Sequence, residues 1–191
     1  MAGRSRNKGN PEYRPDDDKR QYLYVEYLLQ PALTGHLVLS TLHTNDAPSA
    51  VTRLLDRGIP HFLIMSTVIG VVAQRLVRVN CSHCSEEHTP TAEEAVALGL
   101  PLEQLADHTV RRGAGCLHCR QTGYAGRDGV FQIMPIGERL RDQIARQTSS
   151  TSLFEAAREE GMRTLREAAI EKVLQGVTTV SEMVRVTSAS L

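Results

Sequence analysis

The pattern of apolar and polar positions becomes regular only after a polar start. Residues 1–20 contain almost no apolar side chains, which predicts disorder, and residues 1–31 together form a divergent N-terminal segment. Residues 36–41 (His-Leu-Val-Leu-Ser-Thr) are an apolar run bounded by Gly35 and a polar stretch. This pattern predicts a buried strand.

Two helices are expected next. Asn45 or Asp46 can cap the first helix and Pro48 fits its first turn, and the apolar face consists of Val51, Leu54 and Leu55. Residues 61–78 are apolar on nearly all sides, which predicts a second, deeply buried helix.

The C-terminal part of the chain predicts a strand followed by helices. Residues 129–133 resemble a strand, and Gly161 and Gly176 lie where two of the later helices should end. Three Ser/Thr-x-x-Glu pairs predict helix starts, and they are Ser152 with Glu155, Thr164 with Glu167, and Thr179 with Glu182.

The middle of the chain is organised differently. Residues 80–127 hold all four cysteines and a short helical stretch at 92–98, which predicts a small inserted subdomain. The fold prediction is therefore α/β, with a core portion at 32–79 and a last core strand and helical bundle at 128–191.

Composition limits the class of protein. The chain has 191 residues, 22 basic and 22 acidic side chains, and no net charge, so nothing in the total favours nucleic acid or anionic lipid. The start of the chain lacks a signal-peptide pattern, and no apolar run approaches the roughly twenty residues of a membrane span. These features predict a cytoplasmic protein.

The four cysteines predict a structural zinc site. Cys81-x-x-Cys84 and Cys116-x-x-Cys119 have the same spacing, and two such turns complete a tetrahedron of thiolates. A redox dithiol and unrelated buried cysteines are the alternatives. His83 and His118 lie inside the turns. They are interpreted as exposed spacers, because four thiolates already close the site, and the alternative is that they compete as ligands.

Several segments together carry a family resemblance. Residues 32–54, with Ser-Thr-Leu-His-Thr-Asn at 40–45, resemble the histidine-box region of the ATPases that power type II secretion and type IV pilus assembly. The two cysteine pairs resemble the secretion and pilus-extension branch. Further matching segments, within a resemblance that covers residues 32–187, are Gly70–Arg78, Gly115–Cys119, Thr122–Gly129, Gly161–Leu165 and Gly176–Glu182.

The resemblance implies the C-terminal part of a RecA-like P-loop ATPase core with a zinc subdomain and a helical bundle. It also implies ATP and Mg²⁺ as cofactors of the complete motor. The expected partners are other copies in a hexameric ring and inner-membrane platform proteins, which would place the chain peripherally at that membrane.

The same resemblance implies which side chains lie near the nucleotide. His43 belongs to the histidine box, where a neutral imidazole can bond a phosphate oxygen or the attacking water. Arg75 is a candidate for a phosphate or subunit contact, with a structural ion pair as its alternative. The other residues implied to lie near the nucleotide are Thr41, Thr44, Asn45 and Gln74.

Two ATPase motifs are not matched. The chain contains no Gly-Lys dipeptide and so no Walker A loop, and residues 17–21 only echo the charges of a Walker B stretch. The expectation is a truncated member of the family that does not hydrolyse ATP alone.

Two other functions compete with a motor fragment. One is a zinc-stabilised protein-interaction module. The other is a nucleic-acid-binding zinc ribbon, which the arginines around the second cysteine pair would support and the neutral charge opposes. These arginines are Arg111, Arg112, Arg120 and Arg127.

Overall fold

The computed structural model describes residues 29–99, 101 and 109–188. The predicted disorder of residues 1–20, most of the N-terminal segment and the acidic echo at 17–21 lie outside the described residues. No helix in the described ranges is long and apolar enough to cross a membrane.

Seven helices and four strands have defined bounds in the described part of the chain. In order they are α1 (Ala47–Asp56), α2 (His61–Thr67), β1 (Gly70–Asn80), β2 (Ser85–His88), α3 (Ala92–Leu98), β3 (Val110–Gly113), β4 (Tyr124–Pro135), α4 (Glu138–Ala145), α5 (Ser150–Glu159), α6 (Leu165–Leu174) and α7 (Val180–Thr187).

The long antiparallel ribbon of β1 and β4 organises the described chain. Its register runs from Gly70 opposite Pro135 to Asn80 opposite Tyr124, with an irregularity between Arg78 and Asn80. The shorter strands β2 and β3 form a second antiparallel pair. Because side chains alternate along a strand, one face of the ribbon packs inward and the other faces outward.

The inward face contributes to two hydrophobic cores. The first lies at the Gly70 end, among α1, α2, α4 and α5, and its fully buried members include Val51, Ile64, Met134, Leu140, Ile144 and Leu153. The second lies toward the opposite end, among α3, α6 and α7, and includes Val77, Val110, Val130, Ala169, Val173 and Met183.

The first predicted helix is confirmed. Asp46 is the N-cap, since its carboxylate accepts a hydrogen bond of 2.8 Å from the backbone N–H of Ser49. The buried face of α1 includes Val51 and Leu54, as the apolar pattern indicated. The short helix at 92–98 and the strand at 129–133, which lies within β4, are also confirmed.

The prediction of a buried strand at 36–41 is wrong. These residues have no regular secondary structure, and the side chains of Leu37 and Leu39 are 74% and 87% exposed. A strand needs a neighbour for its backbone N–H and C=O groups. Within the described residues, β1 pairs with β4 and β2 pairs with β3, so none of these strands pairs with residues 36–41.

The prediction of one helix over 61–78 is also wrong. Helix α2 ends at Thr67, and the chain becomes strand β1 from Gly70. A run of apolar residues cannot by itself distinguish a buried helix from a strand, and here its β-branched valines favour the strand. The pairing with β4 then fixes that choice, because it gives the backbone of β1 hydrogen-bonding partners along one edge from Gly70 to Asn80.

One of the three predicted helix starts is misplaced. Helix α5 is capped by Ser149, whose hydroxyl accepts from the N–H of Ser152, so Ser152 itself lies inside the helix. Thr164 and Glu167 form the predicted reciprocal capping box. Thr179 caps α7, and the positive φ angles of Gly161 and Gly176 follow the ends of α5 and α6.

Glu182 links the ribbon to α7 instead of completing a capping box at Thr179. Its side chain is fully buried, and its carboxylate accepts 2.7 Å and 2.6 Å hydrogen bonds from the guanidinium groups of Arg78 and Arg185. The backbone N–H of Arg78 donates a third bond of 3.0 Å. Hydrogen bonding by Arg185, then by Arg78, outweighs burial and lowers the pKa of Glu182 to about 2.

Replacing Glu182 should destabilise the fold. We expect Glu182→Gln to lower the free energy of unfolding by about 2 kcal/mol at neutral pH, since a neutral amide leaves two guanidinium groups without their counter-charge. The pKa of Glu182 is lower in the folded chain than its ordinary value of 4.5, so this stabilisation is present above that value. The difference from wild type should therefore shrink as the pH falls from 4.5 toward 2. Urea unfolding across this pH range measures it.

Glu171→Gln is the matched control. Glu171 forms an ion pair with Arg163, and both side chains are about half exposed. The control should cost less than about 1 kcal/mol. Equal losses in the two variants, or a Glu182 effect that does not change in acid, would contradict the interpretation.

Candidate functional site

The two cysteine turns lie at the far end of the ribbon. Cys81 follows β1 directly, and its backbone N–H donates to the carbonyl of Gly123 at 2.9 Å. The second turn lies between β3 and β4, and the N–H of Ala114 donates to the carbonyl of Cys84 at 2.8 Å. Backbone hydrogen bonds therefore hold the two turns against each other.

Close backbone packing also joins the two ends of the segment that carries the second turn. Gly113, at the end of β3, packs against the backbone of Gly123. A Cβ added to Gly113 would lie only 2.0 Å from the carbonyl oxygen of Gly123. Gly123 itself has a positive φ of 77°, which glycine adopts without strain. Neither position can carry a larger residue unless the two ends of the segment that carries the second turn move apart.

The four thiol groups converge on one point. All four Sγ atoms lie within 4.8 Å of one another, with distances of 3.9 Å for Cys81–Cys116 and 3.8 Å for both Cys84–Cys119 and Cys116–Cys119. Four sulfur atoms about 2.3 Å from a central zinc ion would lie roughly 3.8 Å apart. The cluster therefore fits a tetrahedral metal ion such as zinc.

Backbone donors favour a thiolate at Cys119. Burial acts to raise the pKa of its thiol, but hydrogen bonds from the N–H groups of Cys116 and Gly123, at 3.1 Å and 3.2 Å, outweigh it together with the neighbouring thiols. The result is a pKa of about 6. Burial first, and then the adjacent thiols, raise the pKa of Cys84 to about 12. A cation at the centre would favour the thiolate form of all four.

The histidines within the two turns lie on the surface. His83 and His118 are both exposed, and their ring centroids are 4.1 Å apart with an angle of 40° between the planes. The structure therefore brings together two side chains that the sequence analysis treated only as spacers.

The histidine-box residues lie on the segment that leads into α1. His43, Thr41 and Asn45 are exposed and Thr44 is half-buried. The carbonyl of His43 accepts a 2.9 Å hydrogen bond from the Arg53 guanidinium of α1. Helix α1 therefore holds the backbone of this segment and leaves the imidazole accessible.

Arg75 reaches the same segment from β1, whereas Gln74 does not. The guanidinium of Arg75 lies 3.4 Å from both the carbonyl and the side-chain oxygen of Asn45. Gln74 is exposed on the opposite face of the ribbon.

Gln132 is a residue that the sequence analysis missed. Its side chain is only 2% exposed, and its Oε1 accepts a 2.9 Å hydrogen bond from the N–H of Ala47, at the start of α1. The sequence signal for this role is the single amide side chain at an inward-facing position of β4, between the apolar residues Val130 and Met134. Buried polar groups need a partner, so such an amide marks a contact.

The arginines around the second cysteine pair do not form one uniform patch. The guanidinium of Arg111 donates to the carboxylate of Glu87 and the hydroxyl of Ser85, both at 3.2 Å. Its charge is therefore shared with a carboxylate. Arg112, Arg120 and Arg127 are exposed.

Comparison with known proteins gives a consistent result. Residues 20–185 match the family described as "Type II/IV secretion system protein". The type II secretion system protein E of Pseudomonas aeruginosa is 44% identical over 163 residues, which cover 85% of this chain and 32% of that protein. The type IV pilus assembly ATPase PilB of Thermus thermophilus is 44% identical over 154 residues, which cover 81% of this chain and 17% of that protein.

A third relative matches a similar share of this chain. The putative type II secretion system protein E of Escherichia coli is 40% identical over 167 residues, covering 87% of this chain and 33% of that protein. The chain therefore spans a third or less of the length of these curated relatives.

Removing the Gln132 acceptor should weaken the attachment of α1. We expect Gln132→Leu to reduce the free energy of unfolding by about 1–3 kcal/mol, because the buried N–H of Ala47 loses its partner. Gln175→Leu, at an exposed position after α6, should change it by less than about 0.5 kcal/mol. Chemical denaturation compares the two, and similar values would contradict the assigned role of Gln132.

Removing one thiol should abolish tight metal binding. We expect the purified wild-type chain to hold one zinc ion and Cys119→Ser to hold almost none, since three thiolates do not close the tetrahedron. Ser82→Ala, inside the first turn, should retain the metal. Elemental analysis measures the content, and a Cys119→Ser chain with wild-type zinc would refute the four-thiolate assignment.

Proposed function

Because the chain belongs to the type II/IV secretion system protein family, we propose that it acts as part of a secretion or pilus-assembly ATPase motor. The observation that supports this most strongly is the 44% identity to a type II secretion system protein E over 163 residues. A second relative with the same identity is named a pilus assembly ATPase. In this proposal the motor uses ATP hydrolysis to drive protein secretion or pilus extension.

Residues 32–79 and the last strand supply the C-terminal portion of a RecA-like core in this proposal. The complete pairing of β1 with β4 supports this assignment, because it joins the two parts across the inserted segment 80–127. Residues 128–191 then add the helical bundle, whose described helices pack in both cores, α4 and α5 in the first and α6 and α7 in the second.

His43 serves as the sensor of the nucleotide phosphate in this motor. Its imidazole is exposed while its backbone carbonyl is held by Arg53, so the ring can point to a ligand without losing its anchor. A neutral imidazole can donate to a γ-phosphate oxygen or orient the attacking water. Thr41, Thr44 and Asn45 contribute polar contacts beside it, and Gln74 a more distant one.

Arg75 has a positioning or phosphate role at the same place. Its guanidinium contacts Asn45 at 3.4 Å in the described structure, which is long for a charged hydrogen bond and easily exchanged. A phosphate oxygen would be a stronger acceptor for the same fork of donors. Arg75 therefore links β1 to the nucleotide segment.

The phosphate cradle and the Mg²⁺ carboxylate come from another part of the motor. Phosphoryl transfer needs a Gly-x-x-x-x-Gly-Lys-Ser/Thr loop, and the 191 residues contain no Gly-Lys pair. Residues 17–21 are not a strong substitute, because the sequence before them, Asn-Pro-Glu-Tyr-Arg-Pro at 10–15, lacks the apolar pattern of a buried strand. We propose that this chain alone does not turn over ATP.

The tetracysteine cluster holds a structural zinc ion. Four thiolates fill its coordination sphere and leave no position for water or substrate, so the ion stabilises the two turns and takes no part in hydrolysis. The backbone N–H groups that donate to Cys119 support a resident cation, because they stabilise a thiolate.

A zinc-stabilised interaction module is the second candidate. Leu117, in the second cysteine turn, is 90% exposed, and so a rigid metal site presents an apolar side chain to the surroundings. Its partners would be other copies of a secretion ATPase in a hexameric ring or an inner-membrane platform protein. Such contacts would keep the chain in the cytoplasm and peripheral to the inner membrane.

An ATP phosphate-release assay tests the motor proposal. We expect the purified chain to release no phosphate above buffer, since it supplies the sensing residues without the cradle. His43→Ala should show the same baseline. Turnover by the wild type that His43→Ala abolishes would overturn the proposal that this chain alone does not turn over ATP.

A capture experiment separates the two candidates. A tagged chain should retain a full-length secretion ATPase of the family when it acts as a motor part, and Leu117→Ser should then retain it equally. Retention that Leu117→Ser abolishes, with unchanged zinc content, would favour the interaction module.

A further inference from the structure

The two cysteine turns carry the same third residue. Their sequences are Cys-Ser-His-Cys and Cys-Leu-His-Cys, so His83 and His118 each directly precede the last cysteine of their turn. Because both turns contribute cysteines to the same four-thiol cluster, the histidines at the same position of each turn lie opposite each other. The two imidazole rings meet at a centroid distance of 4.1 Å on the exposed surface.

We propose that His83 and His118 together chelate a second divalent transition-metal cation beside the thiolate cluster. Imidazole nitrogen is a preferred ligand for zinc, nickel and copper ions. A cation about 2.1 Å from one nitrogen of each ring would place the ring centroids roughly 4.5–5 Å apart. The rings therefore need to open by less than about 1 Å, and their exposure leaves room for water to complete the coordination sphere.

The charge of the first site favours a second cation. Four thiolates around one divalent ion leave a net charge of −2 at the first site. His83 and His118 are each the direct sequence neighbour of one of these thiolates. A cation held by two neutral imidazoles reduces this excess of negative charge. The inference rests on the structural zinc of the proposed function for this attraction and for the rigidity of both turns.

Preorganisation distinguishes the pair from two separate surface histidines. The N–H of Cys84 donates to the carbonyl of Cys81, and the N–H of Arg120 donates to that of Leu117, both at 3.2 Å. Each turn is thus fixed on both sides of its histidine. Binding to one imidazole places the cation within reach of the other, which raises its effective concentration there.

Nickel titration of the zinc-loaded full chain tests the second site, with Ni²⁺ as the only probe and calorimetry as the measurement. We expect His83→Gln and His118→Gln each to weaken binding at least about tenfold, since either change breaks the chelate. The double variant should bind Ni²⁺ more weakly still, because each single variant keeps one imidazole ligand and the double variant keeps none. His36→Gln, at another exposed histidine, should bind Ni²⁺ as the wild type does.

Zinc content is measured on the same samples. All variants should retain one tightly bound zinc ion, which supports the assignment of the imidazoles to a separate site. Unchanged Ni²⁺ affinity in either single variant would overturn the proposal. Loss of the tight zinc in the histidine variants would also overturn it, by placing the imidazoles in the first site. A wild-type chain without zinc would instead refute the tetrathiolate assignment.

Discussion

The antiparallel pairing of β1 with β4 is the constraint on which the described structure depends. One inward face serves both hydrophobic cores, so each core is built against the same ribbon. Gln132 connects the ribbon to the start of α1 and Arg75 connects it to Asn45, and Asn80 leads from the ribbon into the first cysteine turn. A shift of the β1–β4 register by one residue would move the inward-facing side chains of a strand to the outward face and would break these contacts.

The two polar side chains that are buried against the ribbon, Gln132 and Glu182, have different structural roles. Gln132 satisfies a helix N-terminus that would otherwise lie buried without an acceptor, which is a local requirement of α1. Glu182 instead joins elements that are far apart in the chain, because it binds both the backbone and the guanidinium of Arg78. Its second arginine is on its own helix, so the ribbon and α7 share a single carboxylate.

Sequence patterns predicted best where the structure is set by local chemistry. The caps at Asp46, Thr164 and Thr179 and the convergence of four cysteines follow from short-range residue types and spacings. The strand at 70–80 was mistaken for helix because its fate depends on a partner more than forty residues later in the chain. Residues 36–41 have the composition of a strand, but composition does not supply a neighbouring backbone. Gln132 was missed because its role appears only when β4 meets α1.

Insertion of the cysteine turns between the paired strands affects the order in which the chain folds. Asn80 and Tyr124 must meet across a long intervening segment, and closing such a loop has an entropic cost. A metal ion bound by all four cysteines would divide this segment and hold the strand ends near each other. The ribbon would then close over a shorter effective loop, with a lower effective contact order. Metal supply to the newly made chain would in this way set how quickly both cores assemble, in addition to how stable they become.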